Sequence, residues 1–255
     1  MTDLLLICFT LALLFIIHLI RLLMAVRIPS NIKFKAVNLS QPPEIMADLF
    51  TQTDSELASL GFERSGWASL QTSPPLPGFL PPKLCDALIT LIDANRRPSR
   101  IADANDDRYF RTSETCDLMA WEPAVRELEQ LLFETNHIDP AHGEPVQGQR
   151  YEVGQEFKAH TDYFEPHGQD YQEFCAVSGQ RTWTFMVYLN DVEAGGATRF
   201  KVVNKTFQPQ RGRLLCWNNR LPDGSGNAAT LHHAMKVRRG LKYVITKWYR
   251  ERPWG

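Results

Sequence analysis

The first half of the chain places apolar residues at helical spacing. The stretches "LPGFLPPKLCDALITLIDAN" and "WEPAVRELEQLLFE" repeat leucines and valines every three or four positions, which is the pattern of a helix with one buried face. Pro81 and Pro82 suit the first turn of the earlier helix. We predict two helices that cover a core: the apolar faces are formed by Leu84, Leu88, Leu91 and Ile92, and by Val125, Leu128, Leu131 and Leu132.

The second half of the chain changes to a period of two. In "RTWTFMVYLND", Trp183, Phe185 and Val187 alternate with Thr184 and Met186, as in a β-strand. A Gly-Gly turn separates this run from "ATRFKVV", and "RLLCWNN" and "LKYVITKWY" are two further strand-like runs. The predicted fold class is therefore mainly β with flanking helices (α+β), in a closed or double-sheet architecture such as a jelly roll.

The N-terminus carries one long apolar run. "LLLICFTLALLFIIHLI" extends from Leu4 to Ile20, and the apolar trend continues to Val26. About 20 apolar residues cross a bilayer as a helix, and the leading Met-Thr-Asp lacks the basic residues of a cleaved signal peptide. We expect an uncleaved membrane anchor at 1–26, a tether at 27–75 and a catalytic domain at 76–255.

Positive charges follow the apolar run, and none precedes it. Arg21, Arg27, Lys33 and Lys35 all lie on its C-terminal side, so the positive-inside rule predicts a single-pass protein with a cytoplasmic catalytic domain. A lumenal orientation in a eukaryotic host stays open. The formal net charge of -1 over 255 residues gives no pull toward nucleic acid, and the sequence does not define the oligomeric state.

The cysteines do not suggest a zinc site or a disulfide framework. Their spacing contains no CxxC pair, so we interpret them as separate reduced thiols, with one disulfide outside the N-terminal run left open. The five are Cys8, Cys85, Cys116, Cys175 and Cys216.

The stretch "KAHTDYFEPH" contains the first candidate for chemistry. In a strand, His160 and Asp162 would point to the same face, which gives an ion two ligands. A third ligand is available in "TLHHAMKV", from His232 or His233. Two imidazoles and one carboxylate form the facial triad of non-haem Fe(II) oxygenases, which leaves coordination positions open. A hydrogen-bonded His-Asp pair without metal is the structural alternative.

Lys242 is the second candidate. It alternates with Val244 and Thr246 on one side of a predicted strand. If that side faces the interior, the buried ammonium requires an anion, such as the far carboxylate of a dicarboxylate cosubstrate that chelates iron. A surface lysine is the alternative interpretation.

Several motifs in one order resemble the prolyl 4-hydroxylase branch of the Fe(II)- and 2-oxoglutarate-dependent dioxygenases. The resemblance covers about residues 77–250 and includes "RTSETCDL", "VQGQRYEVGQEFKAHTDYF", "MVYLNDVEAGGATRF", "RGRLLCWNN" and "TLHHAMKVRRGLKYVITKWY". It implies a double-stranded β-helix core, Fe(II) as the metal, 2-oxoglutarate as the cosubstrate, ascorbate as a reductant, and a proline-containing peptide or protein as the substrate.

The resemblance also implies residue roles. His160, Asp162 and His232 match the family's catalytic metal ligands. A second set matches residues that bind 2-oxoglutarate: Lys242, Tyr151 and Thr198.

The chain departs from the family in some places. His233 stands where relatives usually have a small residue, and Met235-Lys236 stands where they often have Cys-Pro. Substrate contacts are open for Arg111 and for the loop after Asp162, which includes Tyr163, Phe164 and His167.

Three alternatives remain from the sequence. The first is a dioxygenase that acts on another residue or on a small molecule, because the triad does not choose the substrate. The second is a non-catalytic module that binds metal or 2-oxoglutarate. The third, a zinc hydrolase or cupin-type isomerase, leaves Lys242, Tyr151 and Thr198 without a role.

Overall fold

A computed structural model describes residues 77–99, 109–166, 168–221 and 223–255. The predicted anchor and tether lie outside these residues, as does His167. Within the described ranges, no helix is long and apolar enough to cross a membrane.

Helices and strands occupy most of the described chain. The helices are α1 (Pro82–Asn95), α2 (Pro123–Asn136) and α3 (Gln169–Cys175), with short 3-10 helices at Pro140–His142 and Ala228–Thr230. The strands are β1 (Arg97–Pro98), β2 (Glu114–Leu118), β3 (Val146–Tyr151), β4 (Phe157–His160), β5 (Arg181–Tyr188), β6 (Ala194–Gly195), β7 (Thr198–Phe200), β8 (Lys205–Phe207), β9 (Leu214–Asn218), β10 (His232–Ala234), β11 (Val237–Arg239) and β12 (Lys242–Arg250).

The strands form antiparallel sheets. The larger sheet has the order β1-β2-β3-β12-β5-β9, a smaller one has the order β4-β10-β7-β8, and β11 pairs with β6. Gly195 and Gly196 have φ of +78° and +71°, a conformation that glycine adopts without strain, and they form the predicted turn. These sheets with flanking helices confirm the predicted mainly β jelly roll.

β5 in the larger sheet is buried on both faces, so residues on both sides of this strand are core residues. Phe185 and Val187 belong to the core that includes the apolar faces of α1 and α2. Met186 and Tyr188 belong to a second core, which includes Phe200 from the smaller sheet. The site residues described below lie beside this second core.

One glycine allows α1 to approach the larger sheet. A Cβ added at Gly148 in β3 would lie 2.4 Å from Cγ1 of Ile92 in α1, far inside van der Waals contact. Ile92 is fully buried, so the missing side chain at Gly148 makes room for the helix.

The elements that were not predicted from the sequence include β2, β3 and α3. The two strands were not predicted because "ETCDL" and "VQGQRY" consist mainly of polar and small residues and lack a regular alternation of aliphatic ones. One local prediction was wrong: β4 ends at His160, so Asp162 lies in a bend beyond the strand rather than on it. The four described cysteines are buried and form no disulfide with one another.

Candidate metal and cosubstrate site

Two histidines face each other across adjacent strands. His160 in β4 and His232 in β10 are directly paired in register, with ring centroids 4.3 Å apart. Nδ1 of His160 lies 2.7 Å from the main-chain oxygen of Lys158, and Nδ1 of His232 lies 2.9 Å from that of Thr230. A carbonyl can only accept, so both Nδ1 atoms carry the proton and both Nε2 lone pairs are free for a metal.

Asp162 completes the group. Its Oδ1 lies 3.8 Å from Nε2 of His160, and one donor atom from each of His160, Asp162 and His232 lies within 4.8 Å of the others. Burial by itself would raise the pKa of Asp162, but His232, His160, Arg181 and the Thr184 hydroxyl together hold it below its ordinary value. The carboxylate is therefore ionised at neutral pH.

This donor set fits Fe(II). Burial, followed by the neighbouring His232, lowers the pKa of His160 to about 3, so its imidazole is neutral and able to ligate. Two imidazoles and one carboxylate are the ligand types that non-haem Fe(II) oxygenases use. Each imidazole is oriented by a main-chain carbonyl, as metal-ligating histidines commonly are.

His233 points in a different direction from its neighbour. Its Nε2 lies 2.9 Å from Oε2 of Glu156, and Lys236 reaches the other oxygen of that carboxylate at 3.3 Å. The structure thus places His232 in the group and His233 in a separate ion-pair cluster.

Lys242 lies inside the protein, at the start of β12, and is 1% exposed. Its Nζ lies 4.8 Å from the centroid of the Tyr151 ring and 5.6 Å from that of Tyr188. Burial alone lowers its pKa to about 7, with no charged group of the described chain acting on it. An uncompensated buried amine fits the carboxylate of a dicarboxylate cosubstrate.

The other two predicted cosubstrate residues lie near this lysine. Tyr151 pairs in register with Lys242, and its hydroxyl donates to Oε1 of Gln149 at 2.7 Å. The hydroxyl of Tyr188 donates to Oγ1 of Thr198 at 2.6 Å. Sequence reasoning missed Tyr188, although the period-two pattern of β5 placed it on the same face as Thr184 and Met186.

Arginine and aromatic side chains lie next to the metal group. The Arg181 guanidinium lies 4.0 Å from the Trp248 ring centroid and 4.9 Å from that of Phe164. Glu144 accepts from its Nε at 2.7 Å and from its Nη2 at 2.8 Å. Nη1 of Arg181 donates to the main-chain oxygen of Asp162 at 3.4 Å. Sequence reasoning missed this cluster, because the residues come from distant parts of the chain.

Arg111 belongs to the same region. Its Nη2 donates to Gln147 at 2.8 Å, its Nε donates to Ser113 at 3.3 Å, and its guanidinium lies 4.8 Å from the Phe157 ring centroid. The Phe157 ring in turn stacks on His160, with centroids 3.5 Å apart. Arg111 and the predicted metal ligand His160 therefore both contact the Phe157 ring.

Known proteins share these features. The 2OG-Fe(II) oxygenase superfamily profile matches residues 146–250. Probable prolyl 4-hydroxylase 9 of Arabidopsis thaliana is 28% identical over a 221-residue alignment that covers 78% of this chain and 74% of that protein. The human prolyl 4-hydroxylase subunit alpha-1 is 32% identical over 146 residues. These cover 56% of this chain but only 27% of the human subunit.

A solved structure shows the same likeness in three dimensions. The viral collagen prolyl hydroxylase of Paramecium Bursaria Chlorella virus-1, in its 2OG complex, superposes with a TM-score of 0.54 at 26% identity. The superposition covers 71% of this chain and 96% of the viral one.

The jelly roll, the His-Asp-His group and the buried lysine thus define a 2OG-Fe(II) oxygenase, and the profile match assigns residues 146–250 to that superfamily. Within it, the chain resembles the prolyl 4-hydroxylases. It is a 2-oxoglutarate-dependent dioxygenase with Fe(II) as its metal, and ascorbate is the typical reductant of this group.

Proposed function

We propose that this protein hydroxylates proline residues in a peptide or protein substrate and converts 2-oxoglutarate and O2 to succinate and CO2. The proposal rests on one combination in the described chain: a His-Asp-His group and a buried lysine whose charge has no partner there. Similarity to proteins named prolyl 4-hydroxylases supports proline as the target.

The side chains divide the work between metal and cosubstrate. His160, Asp162 and His232 would hold the iron through Nε2, a carboxylate oxygen and Nε2. When bound, Fe(II) supplies the redox chemistry that activates O2. Lys242 would bind the distal carboxylate of 2-oxoglutarate, where a charge-assisted hydrogen bond in a dry interior is strong.

Tyr151 and Thr198 would orient the same carboxylate. Both are almost fully buried, so their hydroxyl groups bind a ligand without competition from bulk water. Burial raises the pKa of Tyr151, which keeps its hydroxyl protonated. On cosubstrate binding that proton would turn from Gln149 to the carboxylate.

The arginine and aromatic residues beside the metal group suit an extended proline-containing peptide. Proline-rich segments bind between aromatic side chains because their backbone is already ordered. The part-exposed Phe164 ring offers such a surface, with the Arg181 guanidinium beside it. Glu144 holds Arg181 in place, and Arg181 packs on the buried Trp248 ring.

The test uses the full-length chain, purified in a mild detergent because of the apolar run at 4–20. Fe(II), 2-oxoglutarate and ascorbate are supplied with paired peptides that differ only by proline or alanine at one position. We expect succinate release and the gain of one oxygen atom on proline alone. Succinate release without peptide oxidation would favour a small-molecule substrate, and no succinate with any peptide would favour a binding module.

We propose in addition that residues 4–26 anchor the protein in a membrane, with the catalytic domain on the cytoplasmic side. The length of the apolar run and the four cations that follow it support this proposal. Alkaline extraction of membranes, followed by protease digestion of sealed vesicles, tests both parts. Release into the soluble fraction contradicts the anchor, and protection of the domain contradicts the orientation.

A further inference from the structure

The two oxygens of Asp162 have different surroundings. Oδ2 accepts a hydrogen bond from the Thr184 hydroxyl at 2.7 Å. Oδ1 lies toward His160, 3.8 Å from its Nε2. Asp162 lies beyond the end of β4, so strand pairing does not orient its side chain. The Thr184 hydroxyl on β5 orients it instead.

Asn219 determines where the Thr184 proton goes. Its Nδ2 donates to Oγ1 of Thr184 at 2.8 Å. A threonine hydroxyl has one proton to donate; since Asn219 already donates to the oxygen, the proton is directed to Asp162. The opposite amide orientation would turn Oδ1 of Asn219 toward Thr184 and withdraw the proton from the carboxylate.

Asn219 leaves one polar atom unsatisfied in this arrangement. Its Oδ1 is buried and has no hydrogen-bond partner in the described chain. An unsatisfied buried acceptor is unfavourable. The orientation that leaves it unpaired gives Asp162 a charge-assisted hydrogen bond, which is the stronger kind.

We propose that Thr184 and Asn219 are positioning residues that keep Asp162 monodentate toward the metal. With Oδ2 occupied by the hydroxyl, only Oδ1 remains for the ion. A triad of three single-atom ligands leaves three positions of an octahedral ion open, which is the number that a chelating 2-oxoglutarate and O2 require together. This inference rests on the proposed function of the site.

Both positioning residues are placed where water cannot replace them. Thr184 and Asn219 are each 0% exposed. The main-chain N–H of Asn219 donates to the oxygen of Thr182 on β5 at 2.7 Å, which fixes Asn219 beside Thr184. A variant that loses the Thr184 hydroxyl therefore leaves Oδ2 of Asp162 without a substitute donor.

The decisive variant is Thr184→Val, which keeps the shape and removes the hydroxyl. Thr184→Ser restores the hydroxyl. Thr182→Val is the matched control, because the Thr182 hydroxyl on the same strand donates to the oxygen of Tyr249 at 3.1 Å and not to Asp162. Each full-length protein is titrated anaerobically with Fe(II) and then with 2-oxoglutarate, and the visible charge-transfer band is measured.

We expect Thr184→Val to weaken Fe(II) binding about 10- to 100-fold, as the loss of a hydrogen bond to a ligand usually does. At saturating Fe(II) it should also bind 2-oxoglutarate more weakly, because the released Oδ2 can occupy one of the three open positions of the ion. Thr184→Ser and Thr182→Val should titrate like the unaltered protein. Unaltered binding in Thr184→Val would overturn the proposal, and so would a Thr184→Ser variant as weak as Thr184→Val.

Asn219→Asp tests the direction of the hydrogen bonds. Its carboxylate would accept the Thr184 proton, so we expect the same weakening as in Thr184→Val. Asn218→Asp is the charge control, because Oδ1 of Asn218 accepts from the main-chain N–H of Arg220 at 3.0 Å. Equal weakening in both variants would assign the effect to added charge and refute the role of Asn219.

Failure of the proposed function gives a different result. If the unaltered protein forms no band with Fe(II) and 2-oxoglutarate, the iron site itself is refuted. If the unaltered protein forms the band and Thr184→Val forms it at the same concentrations, only the positioning role is refuted. Thermal melts of each metal-free variant verify that the comparison is made between folded proteins.

Discussion

His160 and His232 are Cα partners in the antiparallel pair of β4 and β10, and their rings lie 4.3 Å apart. Each donates its Nδ1 proton to a main-chain oxygen two residues before it. One ion bound by both Nε2 atoms would therefore connect two neighbouring strands of the smaller sheet. Metal binding and the stability of this sheet should be coupled.

Fe(II) under anaerobic conditions should accordingly raise the melting temperature. A ligand at 100 times its dissociation constant adds about 2.7 kcal/mol to the free energy of unfolding. His160→Ala and Asp162→Ala should lose this increase and all turnover, as measured by calorimetry and succinate release. An increase in either variant equal to that of the unaltered protein would contradict the assignment of ligands.

The adjacent histidines should behave differently. His232→Ala should lose Fe(II) binding, because its Nε2 belongs to the metal group. His233→Ala should retain it, because that side chain contacts Glu156. A metal titration of both variants is the measurement. The reverse pattern would mean that His233, and not His232, is the third ligand.

Lys242→Met should have opposite effects on stability and on cosubstrate binding. Removing a buried amine without a partner should raise the free energy of unfolding of the metal-free protein by about 1–3 kcal/mol. The loss of a charge-assisted bond should weaken 2-oxoglutarate binding about 10- to 100-fold. Chemical denaturation and the anaerobic titration measure the two effects.

Lys247→Met is the control for this substitution. Lys247 lies on the same strand and is also buried, but its Nζ lies 2.6 Å from Oε1 of Glu129. Its loss should lower stability and leave 2-oxoglutarate binding unchanged. Equal effects of the two substitutions on cosubstrate affinity would refute the role of Lys242.

The pKa of Lys242 gives a pH dependence of defined sign. Burial lowers this pKa to about 7, while a lysine in the unfolded chain has a pKa of about 10.4. Between these values the unfolded chain binds more protons, so the stability of the metal-free protein should rise with pH. The destabilisation caused by burying the Lys242 amine is fully present below about pH 7 and absent above about pH 10.4.

Binding of 2-oxoglutarate should take up a proton in the same pH window, because the carboxylate favours the charged lysine. Calorimetry at pH 8 in buffers of different ionisation heat measures this uptake. Lys242→Met should show none. Uptake that persists in the variant would assign the proton to another group.

Glu144→Gln should destabilise the protein strongly. Glu144 accepts hydrogen bonds from Arg181 and from Arg250, the latter at 3.1 Å, and all three side chains are largely buried. Removing the carboxylate leaves two buried cations without a partner, at a cost of about 3–5 kcal/mol. Denaturant unfolding measures the loss.

The control for Glu144 is Glu152→Gln. Glu152 is half exposed and pairs with Arg150 at 2.8 Å, so its loss should change stability by about 0–1 kcal/mol. A Glu144→Gln variant as stable as this control would show that the buried cluster contributes no more than a surface pair.

Local patterns were enough to predict much of the fold. The two helices and the strands at β5, β9 and β12 follow from apolar spacing, because each buries at least one continuous apolar face. β2 and β3 could not be found in this way. Their polar residues, such as Gln147 and Gln149, lie inside the protein only because Arg111 and Tyr151 meet them there.

The predicted ligands illustrate the same limit. The spacing of His160 and Asp162 pointed to a metal pair on one strand, yet the strand ends at His160. Asp162 is instead held by Thr184, which lies 22 positions away in the chain. A hydrogen bond between distant segments has no periodic signal, so no spacing rule could reveal it.

By itself the sequence determined the secondary-structure periods, the jelly-roll class and the residues that make iron and 2-oxoglutarate chemistry available. These properties depend on residue type and on short-range spacing. Tertiary structure alone decided how His233 is paired, how deeply Lys242 is buried, and which groups surround Asp162. Those outcomes depend on contacts between strands far apart in the chain, where burial and hydrogen bonding set the charge and direction of each side chain.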